Sequence, residues 1–264
     1  MNYSKKFIYK KSLNNSAVLL FIHGAGCDYS FWSNLNRYFY YKKFSTLSIS
    51  LPGHGYNFDK ALTTIERMTE YVALILKNLK IKKIIPIGHS MGSLICLSLA
   101  EKKIIELERM ILIGTALPMK VSDFLLVQSK KDEAKAINNM INWGLPGPIK
   151  LSGGNITGLS LPNYIYNLMS KNSINILNKD LNACNNFSLE ENKVREITTP
   201  ALIISGDKDI MTPKDSSIQL KNTLPNAKLE ILDECGHFHT LECANQVRKI
   251  ITNYVAHDKD KTKI

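Results

Sequence analysis

Residues 83–102 read KIIPIGHSMGSLICLSLAEK, and this stretch decides the fold. Its first part, KIIPI, is a short apolar run typical of a buried strand, and its last part, SLICLSLAEK, is typical of a helix. Between them GHSMG places Ser90 between two glycines. A serine on a tight turn from strand to helix has a strained backbone that exposes its hydroxyl at the end of the sheet. Ser90 is therefore the candidate nucleophile.

The G-x-S-x-G pattern is a weak signal by itself, because short patterns recur by chance. The structural alternative is a turn serine that caps the following helix. The position of Ser90 between a strand-like and a helix-like run favours the nucleophile. An acid and a base further along the chain favour it as well.

Outside this stretch, short apolar runs alternate with longer amphipathic segments. Strands separated by helices imply parallel crossovers, so we expect an α/β fold with a mostly parallel central sheet and helices on both faces. Thr63, with Glu66 three residues later, predicts the start of one helix. The predicted strands are 17–22, 44–51, 83–87, 109–113, 201–204 and 228–232, and the predicted helices are 63–81, 92–102, 214–224 and 241–255.

From about residue 117 to residue 191 there is no clean strand, and the alternation returns after residue 197. Residues 122–143 and 163–183 look helical, with loop-like sequence between them. Structureless segments of this length are rare in compact domains, so we expect an inserted helical cap, or lid, at residues 117–191. The core domain would then consist of residues 1–116 and 192–264.

Composition excludes several classes of protein. The 264 residues are 44% hydrophobic and 22% charged, which is typical of a soluble globular chain. No apolar run approaches the roughly 20 residues that a membrane span needs. The net charge of +11, from 34 basic and 23 acidic residues, comes mainly from scattered lysines. We expect no nucleic-acid partner, because such partners are bound by basic residues clustered on one face.

The five cysteines are odd in number and show neither a CxxC pair nor the spacing of metal ligands. We expect reduced, mostly buried thiols, and Cys27 in particular is expected to be inert. The N-terminal sequence is basic but lacks the long apolar stretch and cleavage site of a secretory signal. These features predict a cytoplasmic protein.

Two later loops supply an acid and a base. SGDKDIMTP follows one predicted strand and carries Asp207 and Asp209, and ECGHFHTLE follows the next and carries His237 and His239. A serine hydroxyl needs a base to accept its proton, and the base needs a carboxylate to fix its tautomer. The order Ser, Asp, His, with each residue after a strand, is the order in α/β-hydrolases. The residues alone leave open which aspartate and which histidine act.

Acyl transfer also needs donors for the oxyanion. HGAG, residues 23–26, ends the first predicted strand, where a backbone amide would face the nucleophile; the second donor would be the amide of Met91. His23, His54 and His89 lie in turns next to glycines, and we interpret them as structural residues that bond the backbone of their own loops.

The sequence resembles the α/β-hydrolase superfamily, in particular its small esterase-like and lipase-like members with a lid. HGAG, LPGHG, GHSMG, SGDKDIMTP and CGHFHTLE occur in the order and approximate spacing of that family, over about residues 15–255. One departure is Ser50, where many relatives carry an aspartate before the PGHG turn. That difference is expected to alter local hydrogen bonding and to leave the triad unchanged.

The resemblance implies a role for each candidate residue. Ser90 is the nucleophile, and His237 is the base because the histidine of the family follows directly after the glycine of this loop. Asp209 is the acid, as the fourth residue of the G-x-x-D pattern of the family. The oxyanion-hole positions fall on Ala25 and Met91.

These inferences predict a serine hydrolase that cleaves a carboxylic ester through an acyl-enzyme intermediate, without metal or cofactor. The substrate is expected to be a small molecule with an apolar acyl or aryl group. One alternative is another reaction of the same triad, such as hydrolysis of a C–C bond, thioester, amide or lactone, and another is a slow-turnover ligand-binding receptor. In the cap, some apolar residues line either the pocket or the lid core: Phe124, Met140, Trp143, Tyr164 and Tyr166.

Overall fold

A computed structural model describes residues 2–4, 6–13, 17–147, 149 and 160–256. These residues contain strands β1 Asn2–Ser4, β2 Phe7–Lys10, β3 Val18–Ile22, β4 Thr46–Ile49, β5 Lys83–His89, β6 Glu106–Leu107, β7 Met110–Ile113, β8 Ala201–Gly206 and β9 Ala227–Leu232. The strands form one sheet in the order β1-β2-β4-β3-β5-β7-β8-β9, with β6 beside β5.

The centre of the sheet is parallel and buried. Strands β4, β3, β5, β7, β8 and β9 pair in parallel. Every residue of β3, β7 and β8 is buried. Neighbouring side chains of a strand point to opposite faces, so this sheet is covered on both faces. The predicted α/β class with a mostly parallel sheet is confirmed.

The two N-terminal strands were not predicted. β1 pairs with β2, and β2 pairs with β4, both antiparallel, so that Phe7 lies opposite Ile49. These strands are three and four residues long and lie among lysines. Runs this short and polar lack a periodic signal, and their pairing with β4 is a tertiary contact.

The helices between and after the strands are α1 Ser33–Tyr41, α2 Ile65–Asn78, α3 Met91–Lys102, α4 Asp123–Lys131, α5 Glu133–Gly144, α6 Leu161–Ser170, α7 Ile176–Asn186, α8 Glu191–Arg195, α9 Lys214–Thr223, α10 His239–Glu242 and α11 Ala244–Ala256. No helix in the described ranges is long and apolar enough to cross a membrane.

The start of α2 differs by one residue from the prediction. Its N-cap is Thr64, whose hydroxyl accepts from the amide of Arg67, and not Thr63. Thr64 has the extended backbone of an N-cap, with φ −139° and ψ 152°. Only Thr63 has a glutamate three residues later, but both threonines have a hydroxyl that can cap a helix, and the backbone conformation selects the second.

Between β7 and β8 the described chain contains helices and no strand. The helix predicted at 122–143 is divided into α4 and α5 at Asp132, whose carboxylate accepts from the amide of Lys135 and caps α5. The helix predicted at 163–183 is likewise divided into α6 and α7. Of the loop-like sequence before α6, residues 148 and 150–159 lie outside the described residues. We call residues 117–191 the cap segment, and its status as a separate domain stays a prediction.

Candidate active site

Ser90 lies in the turn between β5 and α3, and its backbone is strained. Its φ of 50° and ψ of −117° are unusual for a residue with a side chain. The flanking glycines allow the close packing of this turn. A Cβ on Gly88 would lie 2.2 Å from the carbonyl oxygen of Gly92, and a Cβ on Gly92 would lie 2.2 Å from the carbonyl oxygen of Ile22. The motif therefore has a steric basis at both glycines.

Asp209 and His237 are joined by a hydrogen bond. The Nδ1–H of His237 donates to Oδ2 of Asp209 over 2.8 Å, and both side chains are buried. Asp209 follows β8 and is held by three donors: the amides of Met211 and Thr212, each at 2.9 Å, and the Thr212 hydroxyl at 2.7 Å. With Nδ1 donating to the carboxylate, the other nitrogen of His237, Nε2, is free to act as a base.

The environment keeps Asp209 ionised. Burial by itself raises the pKa of this carboxyl, but the charge of His237 and its hydrogen bond lower it more strongly. The net result is a pKa well below the ordinary value. A carboxylate that stays charged in a buried position can stabilise a neighbouring imidazolium.

The alternative residues Asp207 and His239 have other contacts. Asp207 accepts from the amide of Cys235 and pairs with Lys208 at 3.3 Å. His239 donates from Nδ1 to the carbonyl oxygen of His237 over 2.6 Å, and its Nε2 lies 3.8 Å from Asp209. Burial lowers the pKa of His239 to about 4, against the raising effect of Asp209. His239 is consequently neutral near pH 7.

Residues that the sequence reasoning did not assign hold the loop of His237. The carbonyl oxygen of His237 also accepts from Nε2 of His89, over 2.8 Å. His89 thus bonds a distant loop, although we predicted a bond within its own turn. Thr212 and Glu242 are further buried polar residues with contacts in this region. All of these residues lie inside the motifs themselves. The sequence feature that could have identified them is a polar side chain close to a catalytic candidate.

The two candidate oxyanion donors are the amides of Ala25, in the HGAG loop, and of Met91, directly after Ser90. A Cβ on Gly24 would lie 3.3 Å from Cβ of Ser90, so the HGAG loop packs against the serine. The carbonyl oxygen of Gly24 accepts from the amide of Cys27 over 3.1 Å, which directs the amide of Ala25, in the same peptide group, the opposite way. Met91 is the first residue of α3, where an amide has no partner within the helix.

Three of the five candidate residues line a cavity of about 360 Å³. Ser90, His237 and Ala25 line it, with apolar side chains such as Met140 and Trp143 from the cap segment. Among the described residues, the cavity wall contains one lysine, Lys120, and no carboxylate. The described residues contain no group of three or more acidic, histidine or cysteine side chains suited to a metal ion.

The remaining cap candidates do not line this cavity. Phe124 is mostly exposed and contacts the ring of Trp143, and Tyr164 and Tyr166 pack at the edge of the hydrophobic core. Cys27 is buried, and burial raises the pKa of its thiol far above the ordinary value. A thiol that stays protonated is a poor nucleophile.

The sequence profile of the alpha/beta hydrolase fold matches residues 17–242. The chain belongs to the α/β-hydrolase family. A Haemophilus influenzae protein provisionally named an esterase/lipase is 27% identical over 266 residues, covering 97% of this chain and 88% of that protein. A 2-hydroxy-6-oxononadienedioate/2-hydroxy-6-oxononatrienedioate hydrolase from a Pseudomonas species is 23% identical over 263 residues, covering 92% of this chain and 89% of that protein.

Comparison with solved structures also gives the α/β-hydrolase fold. The enol-lactonase from Burkholderia xenovorans LB400 superposes with a TM-score of 0.82 and 20% identity, covering 95% of each chain. At this identity the likeness shows the fold. Together with the relatives, it identifies the protein as an α/β-hydrolase enzyme, as the sequence motifs predicted.

Proposed function

We propose that this α/β-hydrolase cleaves carboxylic esters with Ser90 as nucleophile, His237 as base and Asp209 as acid. The observation that carries the proposal is the 2.8 Å hydrogen bond to a buried, ionised Asp209 from His237, which lines the same cavity as Ser90. These observations support a base that is oriented by an acid and that shares a cavity with the nucleophile, as acyl transfer requires.

The reaction proceeds in two steps. Ser90 Oγ attacks the ester carbonyl while Nε2 of His237 accepts its proton, and the amides of Ala25 and Met91 bind the oxyanion. When the C–O bond breaks, His237 gives its proton to the leaving alcohol. His237 then takes a proton from water, which attacks the acyl carbon; as the bond from that carbon to Ser90 Oγ breaks, His237 returns the proton to Ser90 Oγ and the carboxylic acid is released.

The size and lining of the cavity support a small, apolar substrate. Its volume of about 360 Å³ lies in the range of small-molecule sites. The walls contributed by Met119, Met140 and Trp143 favour an apolar acyl or aryl group of small to medium size. We place the reaction in the cytoplasm, because the cysteines are free thiols and most of them are buried.

A second candidate is an ester-like substrate that carries a carboxylate. Lys120 is a cation in the cavity wall, and its ammonium donates to the carbonyl oxygen of Asn185 at 3.1 Å. The name of the Pseudomonas relative specifies a dioate, and the name of the Burkholderia structure specifies a lactone, which is a cyclic ester. Hydrolysis of a simple ester and hydrolysis of such a substrate would both begin with attack by Ser90 on a carbonyl carbon.

A p-nitrophenyl ester series of increasing acyl length tests the proposal. We expect turnover with a preference for short to medium chains, and a loss of several orders of magnitude in kcat in Ser90→Ala with an unchanged melting temperature. A fluorophosphonate that labels the wild type while no ester or lactone in a panel is cleaved would identify a receptor. Ester hydrolysis that persists in Ser90→Ala would overturn the assignment of the nucleophile.

A further inference from the structure

The cap segment contributes a buried carboxylate that contacts the HGAG loop, which contains Ala25. Asp180 of α7 is fully buried, and its Oδ2 accepts from the amide of Gly26 and from Nε2 of His54, each over 2.8 Å. A carboxylate without such partners is expensive to bury. Both of these donors lie on loops of the sheet, so the partners of this cap residue belong to the core.

The contacts of His54 favour its protonated form. Its Nε2 donates to Asp180, and its Nδ1 lies 3.2 Å from the carbonyl oxygen of Pro52, which can only accept. A ring that donates from both nitrogens carries two protons. Burial lowers the pKa of His54, but the charge and hydrogen bond of Asp180 outweigh burial and raise it. Asp180 and His54 therefore form a buried ion pair between the cap segment and the LPGHG loop.

A second residue of the cap segment holds the same loop. Asn172, between α6 and α7, donates from Nδ2 to the carbonyl oxygen of Gly26 and accepts at Oδ1 from the amide of Gly55 over 2.7 Å. The amide and the carbonyl of Gly26 are thus both bonded to the cap segment. Gly26 has a φ of +67°, in the left-handed region that favours glycine.

Fixing Gly26 affects the direction of the amide of Ala25. The carbonyl oxygen of Gly24 is held by the amide of Cys27 on one side of Ala25, and the peptide group of Gly26 is held by Asp180 on the other. With the peptide groups on both sides fixed, Ala25 has little freedom to rotate. Oxyanion stabilisation depends on donors whose direction is set before the reaction, so a small rotation here would reduce the rate.

We propose that the cap segment positions the oxyanion donor Ala25 by holding Gly26 through Asp180, with Asn172 as a second tie. Asp180 touches neither substrate nor Ser90 in this account and is a positioning residue. The inference rests on the proposed function, because it assigns the support of the same oxyanion site. It also makes the position of the cap segment a determinant of the chemical step.

The test compares Asp180→Ala with Glu133→Ala as a matched control. Glu133 also stabilises α7, since its carboxylate accepts from the amides of Asn175 and Leu177, but it does not contact the HGAG loop. The readouts are kcat and KM for a p-nitrophenyl ester, and the inhibition constant of an aryl trifluoromethyl ketone. Ser90 adds to that ketone to form a hemiketal oxyanion, and the proton of Ser90 passes to His237.

We expect Asp180→Ala to lower kcat by about 10²-fold, near the lower end of the effect of losing an oxyanion donor, with KM within about threefold. Affinity for the ketone should fall in proportion. Asp180→Asn, which keeps an oxygen for Gly26, should recover part of the loss. Glu133→Ala should keep both quantities within about threefold of wild type.

Equal kcat values for the Asp180 and Glu133 variants, or an unchanged affinity for the ketone, would overturn the inference. If Asp180→Ala shows no cooperative melting, Asn172→Ala replaces it in the test. We expect Asn172→Ala to lower kcat by about tenfold. A kcat equal to that of the wild type would also overturn the inference. The rate of fluorophosphonate labelling is measured on the same variants. It tests the positioning of the oxyanion loop even if the wild type cleaves no ester, which separates this inference from the proposed function.

Discussion

Glu242 and His237 are connected through the backbone of one short loop. The carboxylate of Glu242 accepts from the amides of Gly236 and Phe238, over 2.8 and 2.7 Å, and these are the residues before and after His237. The carbonyl oxygen of His237 accepts from His89 at the same time. The peptide group between His237 and Phe238 is therefore held at both its N–H and its carbonyl oxygen, and the amide of His237 donates to the carbonyl oxygen of Gly144 over 2.7 Å. A buried carboxylate thus helps to fix the backbone that carries the imidazole.

The ionisation of Glu242 should make stability depend on pH. Burial raises its pKa from 4.5 to about 7, against the lowering effect of the two amides. Because the folded state holds this proton more tightly, the group contributes stability that is fully present below about pH 4.5 and is lost as pH rises through 7. In Glu242→Gln this term is absent. The free energy of unfolding of wild type minus variant should therefore fall, by up to about 3 kcal/mol, between pH 4.5 and 8.

The measurement is urea denaturation of both proteins across that pH range. Subtracting the variant removes the contribution of other groups, including His239, whose lowered pKa acts in the opposite direction. A difference that stays constant with pH would show that Glu242 does not titrate in this window.

Substitutions of the two aspartates after β8 should have very different effects on kcat. Asp209→Asn keeps the shape of the side chain but cannot hold His237 in the tautomer that leaves Nε2 as a base, so we expect a loss of about 10⁴-fold in kcat. Asp207→Asn is the matched control. Asp207 contacts Lys208 and the amide of Cys235, and its variant should keep kcat within about threefold. A larger loss in Asp207→Asn than in Asp209→Asn would reverse the assignment of the acid.

Substitutions of the two histidines in the HFH sequence should also have different effects on kcat. His237→Gln removes the base, and we expect a fall of at least about 10³-fold in kcat. His239→Asn can still donate to the carbonyl oxygen of His237 and should lose less than about tenfold. Steady-state kinetics of both variants on one ester provide the comparison, and equal losses would mean that His239 has a direct part in proton transfer.

The close packing behind Ser90 should make Gly92 intolerant of any side chain. A Cβ there would lie 2.2 Å from the carbonyl oxygen of Ile22, so Gly92→Ala must shift backbone and should destabilise the fold by about 3 kcal/mol or more. Gly147 is the control, because it is exposed and a Cβ there meets nothing within 4 Å. Gly147→Ala should change the free energy of unfolding by less than about 1 kcal/mol. Thermal unfolding of the two variants would refute this if they melted alike.

The sequence was informative where one local segment carries both structure and chemistry. GHSMG predicts a turn and a nucleophile together, and the structure has that turn, with a positive φ at Ser90. The motifs around Asp209 and His237 predict loops after strands, and the hydrogen bond between the two residues, 28 positions apart, follows from the parallel sheet.

Contacts between distant segments were the part that the sequence did not reveal. Asp180 is one polar residue in an amphipathic helix, and nothing near it indicates that Gly26, 154 residues away, is its partner. Thr212 and Glu242 were visible in their motifs, but their roles depend on side-chain direction. The boundary at Thr64 was missed by one residue, because two adjacent threonines have the same capping chemistry and backbone conformation decides between them.

Mapping the fluorophosphonate adduct by peptide mass spectrometry tests the central claim most directly. In the labelling step the oxygen of the reactive serine bonds to phosphorus, fluoride leaves, and the base takes the serine proton. We predict one adduct per chain on the peptide that contains Ser90, none in Ser90→Ala, and labelling slowed at least about 10²-fold in His237→Gln. An adduct on another residue, or a rate that His237→Gln leaves unchanged, would contradict the claim that Ser90 is activated by His237.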